Sequence, residues 1–245
     1  MKSSAISVLA MLMLTGCASF PVAQVAQGDF PVTGVEMHRF KRGDATHGEF
    51  GVRFGGVARD NFVRIVGQWS DPSFQKHELT GRYYGSAAHR RWSIEVHPEP
   101  TTAQREAIEH AKDGYAADLG YAINAGARIY PRFERKTFEW GQGVTFLVQY
   151  QNDNTNYVPN NGMLTYEVHG ITQNGRYIRA SFGVTHPSLV EFGPGVRDHR
   201  DGDPADPKSS MRRDPHYRLA ETAAPSSFEP SLTEIDRFLT NLHTK

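Results

Sequence analysis

The chain has one cysteine in 245 residues, which excludes an internal disulfide framework. It has no excess of either charge. Lys and Arg number 27, Asp and Glu number 27, and the formal net charge is +0. Without a basic surplus to neutralise phosphates, nucleic acid is not an expected partner. Long apolar runs are missing too. Ile6 to Leu14 (ISVLAMLML) falls well short of the roughly 20 residues a transmembrane helix needs. There is no Gly-x-Ser-x-Gly elbow, no P-loop, no dinucleotide fingerprint and no repeat at a solenoid period, and no cofactor is implied. A Ser/His/Asp triad scattered through the sequence stays open, because triads need no local motif. What the chain does contain is globular: 38% hydrophobic residues, of which a large share is aromatic.

The lone cysteine is Cys17, and its position explains it. Lys2 is the only charge among the first sixteen residues, the apolar run follows, and Thr15-Gly16 place small residues before the thiol. A positive start, an apolar core and a small-residue cleavage site make a secretory signal. Leu14-Thr15-Gly16-Cys17 resembles the lipobox of bacterial lipoproteins. The resemblance implies that residues 1–16 are removed and that Cys17 becomes an acylated N-terminus. Each buried acyl CH₂ contributes about 0.8 kcal/mol, and a multiply acylated cysteine is a stable anchor. The competing reading is a free buried thiol behind an ordinary signal peptide. In lipoproteins of two-membrane bacteria an Asp after the cysteine often marks retention in the inner membrane. Ala18 stands there instead, so the expected location is the outer membrane, with the domain facing the periplasm.

Removal of the signal leaves about 230 residues, enough for one domain with extensions. Residues 17–31 read as the acylated N-terminus and a polar, proline-punctuated tether, and 32–245 as a single domain. Phe50 to Val57 (FGVRFGGV) and Phe62 to Trp69 (FVRIVGQW) read as two strands of a hairpin, their glycines as bulges or points of close approach. Trp92 to Val96 alternates like a strand. Over 101–123 the period changes: Ile108, Ala111, Tyr115, Leu119 and Ala122 recur at spacings of three and four, and Thr101 with Gln104 can form a capping box. Four more strands follow, Arg128 to Phe138, Val144 to Tyr150, Met163 to Ile171 and Arg176 to Val184. The first pair flanks a turn at Trp140-Gly-Gln-Gly143 and the second a hairpin at Asn174-Gly175. Residues 191–230 read as a long polar loop. Ser231 and Glu234 then begin a helix over 231–243 with Leu232, Ile235, Leu239 and Leu242 on its apolar face and Asp236, Arg237 and Asn241 toward water. Together these elements predict an α+β fold, a mainly antiparallel sheet packed by the two helices.

Leu164 to Val190 (LTYEVHGITQNGRYIRASFGVTHPSLV) and Pro230 to Leu242 (PSLTEIDRFLTNL) resemble the Mog1/PsbP-like group. There a strand runs into a Gly-Leu-Thr-like turn and Asp/Asn-Gly, the next strand reads Arg/Lys-Tyr-Tyr-x-Val, and a Pro-Ser-Leu helix follows late in the chain. The resemblance implies an antiparallel sheet covered by helices, in a group whose members are largely non-enzymatic binding or assembly factors. It carries over no binding residues.

The densest polar cluster is Asp198, His199, Asp201, Asp203 and Asp206, continuing to His216. Such residues are candidate ligands for a hard cation or Zn²⁺, but their spacing departs from the EF-hand pattern, and four arginines in the segment can neutralise the carboxylates. The segment is read as a solvated loop with no metal. His77-Glu78 lacks the second histidine of a His-Glu-x-x-His site, and His89-Arg90-Arg91 is read as a solvated basic turn. His169 and His186 bracket the Asn-Gly hairpin and are candidates to face one another. Trp69, Tyr83, Tyr84, Trp92, Tyr115 and Tyr121 are read as core. The functional expectation is an envelope lipoprotein acting as a non-catalytic binding or assembly module for a protein, peptidoglycan or lipid. The alternatives are an envelope hydrolase or metal-dependent enzyme using residues 198–216, and a carrier of an apolar ligand.

Overall fold

In Trp92-Ser-Ile-Glu-Val96 every second residue is apolar, and the same alternation returns in Tyr166 to Gly170 and Ile178 to Phe182. Because successive strand side chains point to opposite faces, such segments build a sheet with one apolar face and one mixed face. The computed structural model, which describes residues 23–25, 32–46, 56–57, 60–69, 91–110, 131–149, 158–190, 210–240 and 242–244, contains that sheet.

In chain order the elements are β1 (Ala23–Val25), β2 (Val32–Phe40), β3 (Ala45–Thr46), β4 (Gly56–Val57), β5 (Phe62–Trp69), β6 (Arg91–His97), α1 (Thr102–His110), β7 (Glu134–Phe138), β8 (Gly141–Val148), β9 (Thr165–Thr172) and β10 (Tyr177–Gly183). Then come α2 (Ser210–Arg213), α3 (Pro215–Thr222), a 3-10 turn at Pro225–Ser227, α4 (Leu232–Thr240) and β11 (Leu242–Thr244). Seven strands form one sheet in the order β2-β5-β6-β10-β9-β8-β7, and every neighbour is antiparallel. The fold is therefore α+β, as the alternation and helix periods predict.

One face is the apolar core. Val63, Ile65, Trp92, Ile94, Val96, Val168, Ile178, Ala180 and Phe182 meet Leu232, Ile235, Phe238 and Leu239 of α4 and Ala220 of α3. On the other face the described residues of α1 bring Ile108 into a cluster with Val144, Phe146 and Val148 of β8 and Tyr177 of β10. The capping box predicted for α1 is present in both directions. The Gln104 amide donates to Thr101 Oγ1 at 3.2 Å, and the Thr101 amide donates to Gln104 Oε1 at 2.9 Å. The expected continuation of this helix through 111–123 lies outside the described residues.

Several expectations are corrected. Gly56–Val57 pairs with β3, and β5 takes β2 as its partner, so the expected hairpin between 50–57 and 62–69 is not formed. The glycine signal at 141–143 belongs to a strand, not a turn. The β7–β8 turn is Glu139-Trp140, and a Cβ at Gly141 would collide with the Ile171 carbonyl of β9. Gly67 likewise leaves room for the Trp92 ring, the close approach its position suggested. The expected loop over 191–230 contains α2, α3 and the 3-10 turn, because Asp214 caps α3 by accepting from the His216 and Tyr217 amides. The final helix ends at Thr240; Leu242 is buried in a strand that pairs with Ala23–Val25 of the expected tether.

Candidate functional site

On the mixed face, strands β5, β6, β10 and β9 lie side by side and bring a row of ionisable residues into register. Arg64 is opposite Glu95, Glu95 opposite Arg179, and Arg179 opposite His169. All four are buried or nearly so. Arg64 donates from Nε and Nη2 to Glu95 Oε1 at 2.9 and 2.6 Å. The other Glu95 oxygen faces His97 Nε2 at 3.2 Å, and His97 Nδ1 lies 3.2 Å from both Asp60 oxygens. Arg179 Nη2 donates to Glu167 Oε1 at 3.0 Å. His169, with 0% exposure like Glu167, bridges Glu167 Oε2 at 2.8 Å and the Tyr177 hydroxyl at 2.6 Å. Beside this row runs an aromatic one: Phe40 stacks on Phe62 and Phe62 on His97, each pair at 4.7 Å, and Tyr177 follows at 5.6 Å.

The two histidines hold opposite charge states. For His97, burial is the largest influence and disfavours the cation. The hydrogen bonds and charges of Asp60 and Glu95 together outweigh it and raise the pKa to about 9. For His169, burial dominates and lowers the pKa; Glu167 offsets only part of it, and the Arg179 charge adds to it. A neutral His169 donates from Nε2 to Glu167 and accepts the Tyr177 proton at Nδ1. Glu167 is opposed by burial, but the Arg179 charge and the His169 hydrogen bond lower it to about 2. Glu95 also resists burial and lies well below the carboxylate range, held there by the His97 hydrogen bond and the charges of Arg179, Arg64 and His97. Among the described residues, three cations (Arg64, Arg179, His97) thus face three carboxylates (Glu95, Glu167, Asp60).

These states set a pH dependence. His97 is protonated to about pH 9 when folded but only to its ordinary 6.5 when unfolded. Its contribution, on the order of 3 kcal/mol, is complete below pH 6.5 and lost as pH rises through 9. Glu167 acts oppositely: its contribution is present above its ordinary 4.5 and lost as pH falls toward 2. The contribution of His169, held neutral, is lost as pH falls below 6.5. Urea denaturation should therefore show maximal stability near pH 6.5, and His97→Gln should flatten the alkaline limb. Equal wild-type stability at pH 6.5 and pH 9 would contradict the assignment of His97 as a cation.

Glu167, His169 and Tyr177 repeat the carboxylate–imidazole–hydroxyl order that activates a nucleophile. Here the hydroxyl is a phenol, 2% exposed and packed against Phe146 and Val144, so the geometry orients a core residue. A second pair resembles a hydrolase dyad: His186 Nε2 lies 3.0 Å from Ser227 Oγ. Its polarity is reversed. The Ser188 amide donates to His186 Nδ1, which puts the ring proton on Nε2, and Ser227 Oγ donates onward to the Ala224 carbonyl at 2.6 Å. His186 therefore donates to the serine and takes no proton from it. Burial also pushes its pKa down.

His169 and His186 do not meet: the first belongs to the mixed face, and the second packs on Phe228. Of the cation-ligand candidates, Asp198, His199, Asp201, Asp203 and Asp206 lie outside the described residues, as do Cys17, His77, His89, Tyr83, Tyr84, Tyr115 and Tyr121. His216 sits on α3, where its amide is bound by the capping carboxylate. Among the described residues no group of three His, Cys, Asp or Glu is arranged to hold a metal.

Sequence reasoning passed over Arg64, Glu95, Glu167 and Arg179. The available signal was a repeated Glu-x-His: Glu36-Met-His38, Glu95-Val-His97 and Glu167-Val-His169. Residues i and i+2 share a strand face. In all three copies the carboxylate meets the imidazole of its own strand, at 3.3, 3.2 and 2.8 Å. No family model, curated protein or solved structure matches the chain.

Proposed function

We propose that the chain is a lipoprotein of the bacterial envelope, held in the outer membrane by acylated Cys17. Its α+β domain faces the periplasm as a non-catalytic module that binds an envelope protein, peptidoglycan or a lipid. The observation that carries the non-catalytic reading is that, among the described residues, the buried carboxylates of the charge row are engaged by neighbouring basic side chains of the sheet. Glu95 is held by Arg64 and His97, and Glu167 by Arg179 and His169, in a buried set. A catalytic centre holds at least one such group toward a substrate. The likeness to the Mog1/PsbP-like group supports the same reading. Anchoring adds a physical advantage, since confinement to a membrane raises the effective concentration of the module near its partners.

Cys17→Ser is expected to move the protein from the membrane fraction to the soluble periplasmic fraction, with the domain still folded. Intact-mass measurement of the wild type should show acyl chains on Cys17; an unmodified thiol would overturn the anchoring. Crosslinking in intact cells, followed by capture of the lipidated chain, tests the binding role. Turnover of an envelope substrate by the purified protein would overturn the non-catalytic reading.

A further inference from the structure

The third Glu-x-His lies at the sheet edge. β2 is the end strand, and its partner among the described residues is β5. Glu36, Met37, His38 and Arg39 are all exposed, and Met37, at 51%, is the one large apolar side chain exposed among the described residues. An exposed edge strand is a template for another strand. A bulge between Thr33 and Glu36 leaves the regular part of β2 at 36–40.

We infer that β2 pairs antiparallel with β2 of a second copy of this chain, with Met37 on the two-fold axis. A two-fold axis perpendicular to the sheet allows only registers that keep like faces together. Centring on Met37 sets Glu36 opposite His38 of the other copy, twice, and buries the two methionines against each other. Centring on Glu36 or on Arg39 stacks like charges on the axis, which is destabilising. Centring on His38 sets Met37 against Arg39 and Glu36 against Phe40. Over residues 36–38, the Met37 register pairs each carboxylate with an imidazole and each methionine with a methionine, while Arg39 falls opposite Val35, inside the bulge. It also continues the interior pattern, in which each Glu of a Glu-x-His meets a basic side chain across the strand: Glu95 with Arg64, Glu167 with Arg179. The dimer extends the mixed face of one copy into that of the next. This inference goes beyond the anchoring proposal and holds or fails separately from it.

The test is disulfide trapping in the full chain. On-axis antiparallel residues have Cα atoms about 4.5–5.5 Å apart, within the limit of about 7 Å for a disulfide, whereas position 39 would be about 14 Å from its copy. Under mild oxidation Met37→Cys should run mainly as a disulfide dimer, and Arg39→Cys, also exposed and on the same face, should stay monomeric. Adding Glu36→Lys to Met37→Cys should cut the dimer at least tenfold by removing the carboxylate that faces His38, and adding His38→Glu as well should restore it by placing a carboxylate opposite the new lysine. All these positions are exposed, so thermal melting should show each variant folded. The inference is overturned if Met37→Cys does not crosslink, if Arg39→Cys crosslinks equally, or if the thiol introduced by Met37→Cys is captured by a different protein. The wild type is run alongside. A dimer there through Cys17 would count against acylation and leave the comparison of positions 37 and 39 standing.

Discussion

Glu167→Ala should cost the domain about 3–5 kcal/mol, the cost of breaking a buried ion pair by removing one partner. Glu167 is fully buried and accepts from Arg179 and His169 at 3.0 and 2.8 Å. Its removal withdraws the anion that faces Arg179 and the acceptor that orients His169. The hydrogen bond from Tyr177 then holds an imidazole whose other nitrogen has lost its carboxylate. Against a typical stability of about 5–15 kcal/mol, this loss is large enough to leave some of the chain unfolded. Glu167→Gln, which keeps an acceptor but not the charge, should cost less than Ala. Urea denaturation at neutral pH measures both. A cost below about 1 kcal/mol for Glu167→Ala would mean the row is solvated in solution, and its ion pairs could no longer support the non-catalytic reading.

Leu239→Ala should cost about 2–5 kcal/mol. A nine-residue helix such as α4 is marginal alone, so it persists through the face it buries. Leu239 is 0% exposed, in the same core as Trp92, Phe182 and Trp140, and its carbonyl accepts from the Trp140 indole at 2.9 Å. Arg237→Ala, on the exposed side, should cost little. Asp236 is not the water-facing residue its spacing suggested. It accepts from the Tyr166 hydroxyl at 2.8 Å and pairs with Lys136, and together with burial its charge raises the Tyr166 pKa well above the usual value. Equal and small losses for Leu239→Ala and Arg237→Ala in chemical denaturation would mean that α4 is not docked on the sheet.

Short-range signals in the sequence were enough for whatever depends on neighbours along the chain. Asn174-Gly175 closes a hairpin because glycine takes the positive φ of 81° that the turn needs. Thr101 and Gln104 cap a helix because their side chains reach each other's amides within one turn. Alternation marked β6, the Asn-Gly turn marked the β9–β10 hairpin, and spacings of three and four marked α4, which was sufficient for the α+β class. What the tertiary structure decided is which strands are neighbours. β10 lies between β6 and β9, and this places two Glu-Val-His segments from distant parts of the chain on either side of Arg179. A charged residue in an alternating strand looks like a solvent-facing position until another strand supplies its counter-charge, and strand pairing over long separations leaves no mark on local periodicity. Gly141 gave a turn signal for the same reason: the Ile171 carbonyl that excludes a side chain there arrives from another strand. Tertiary contact alone turned those apparently exposed charges into a buried row of ion pairs.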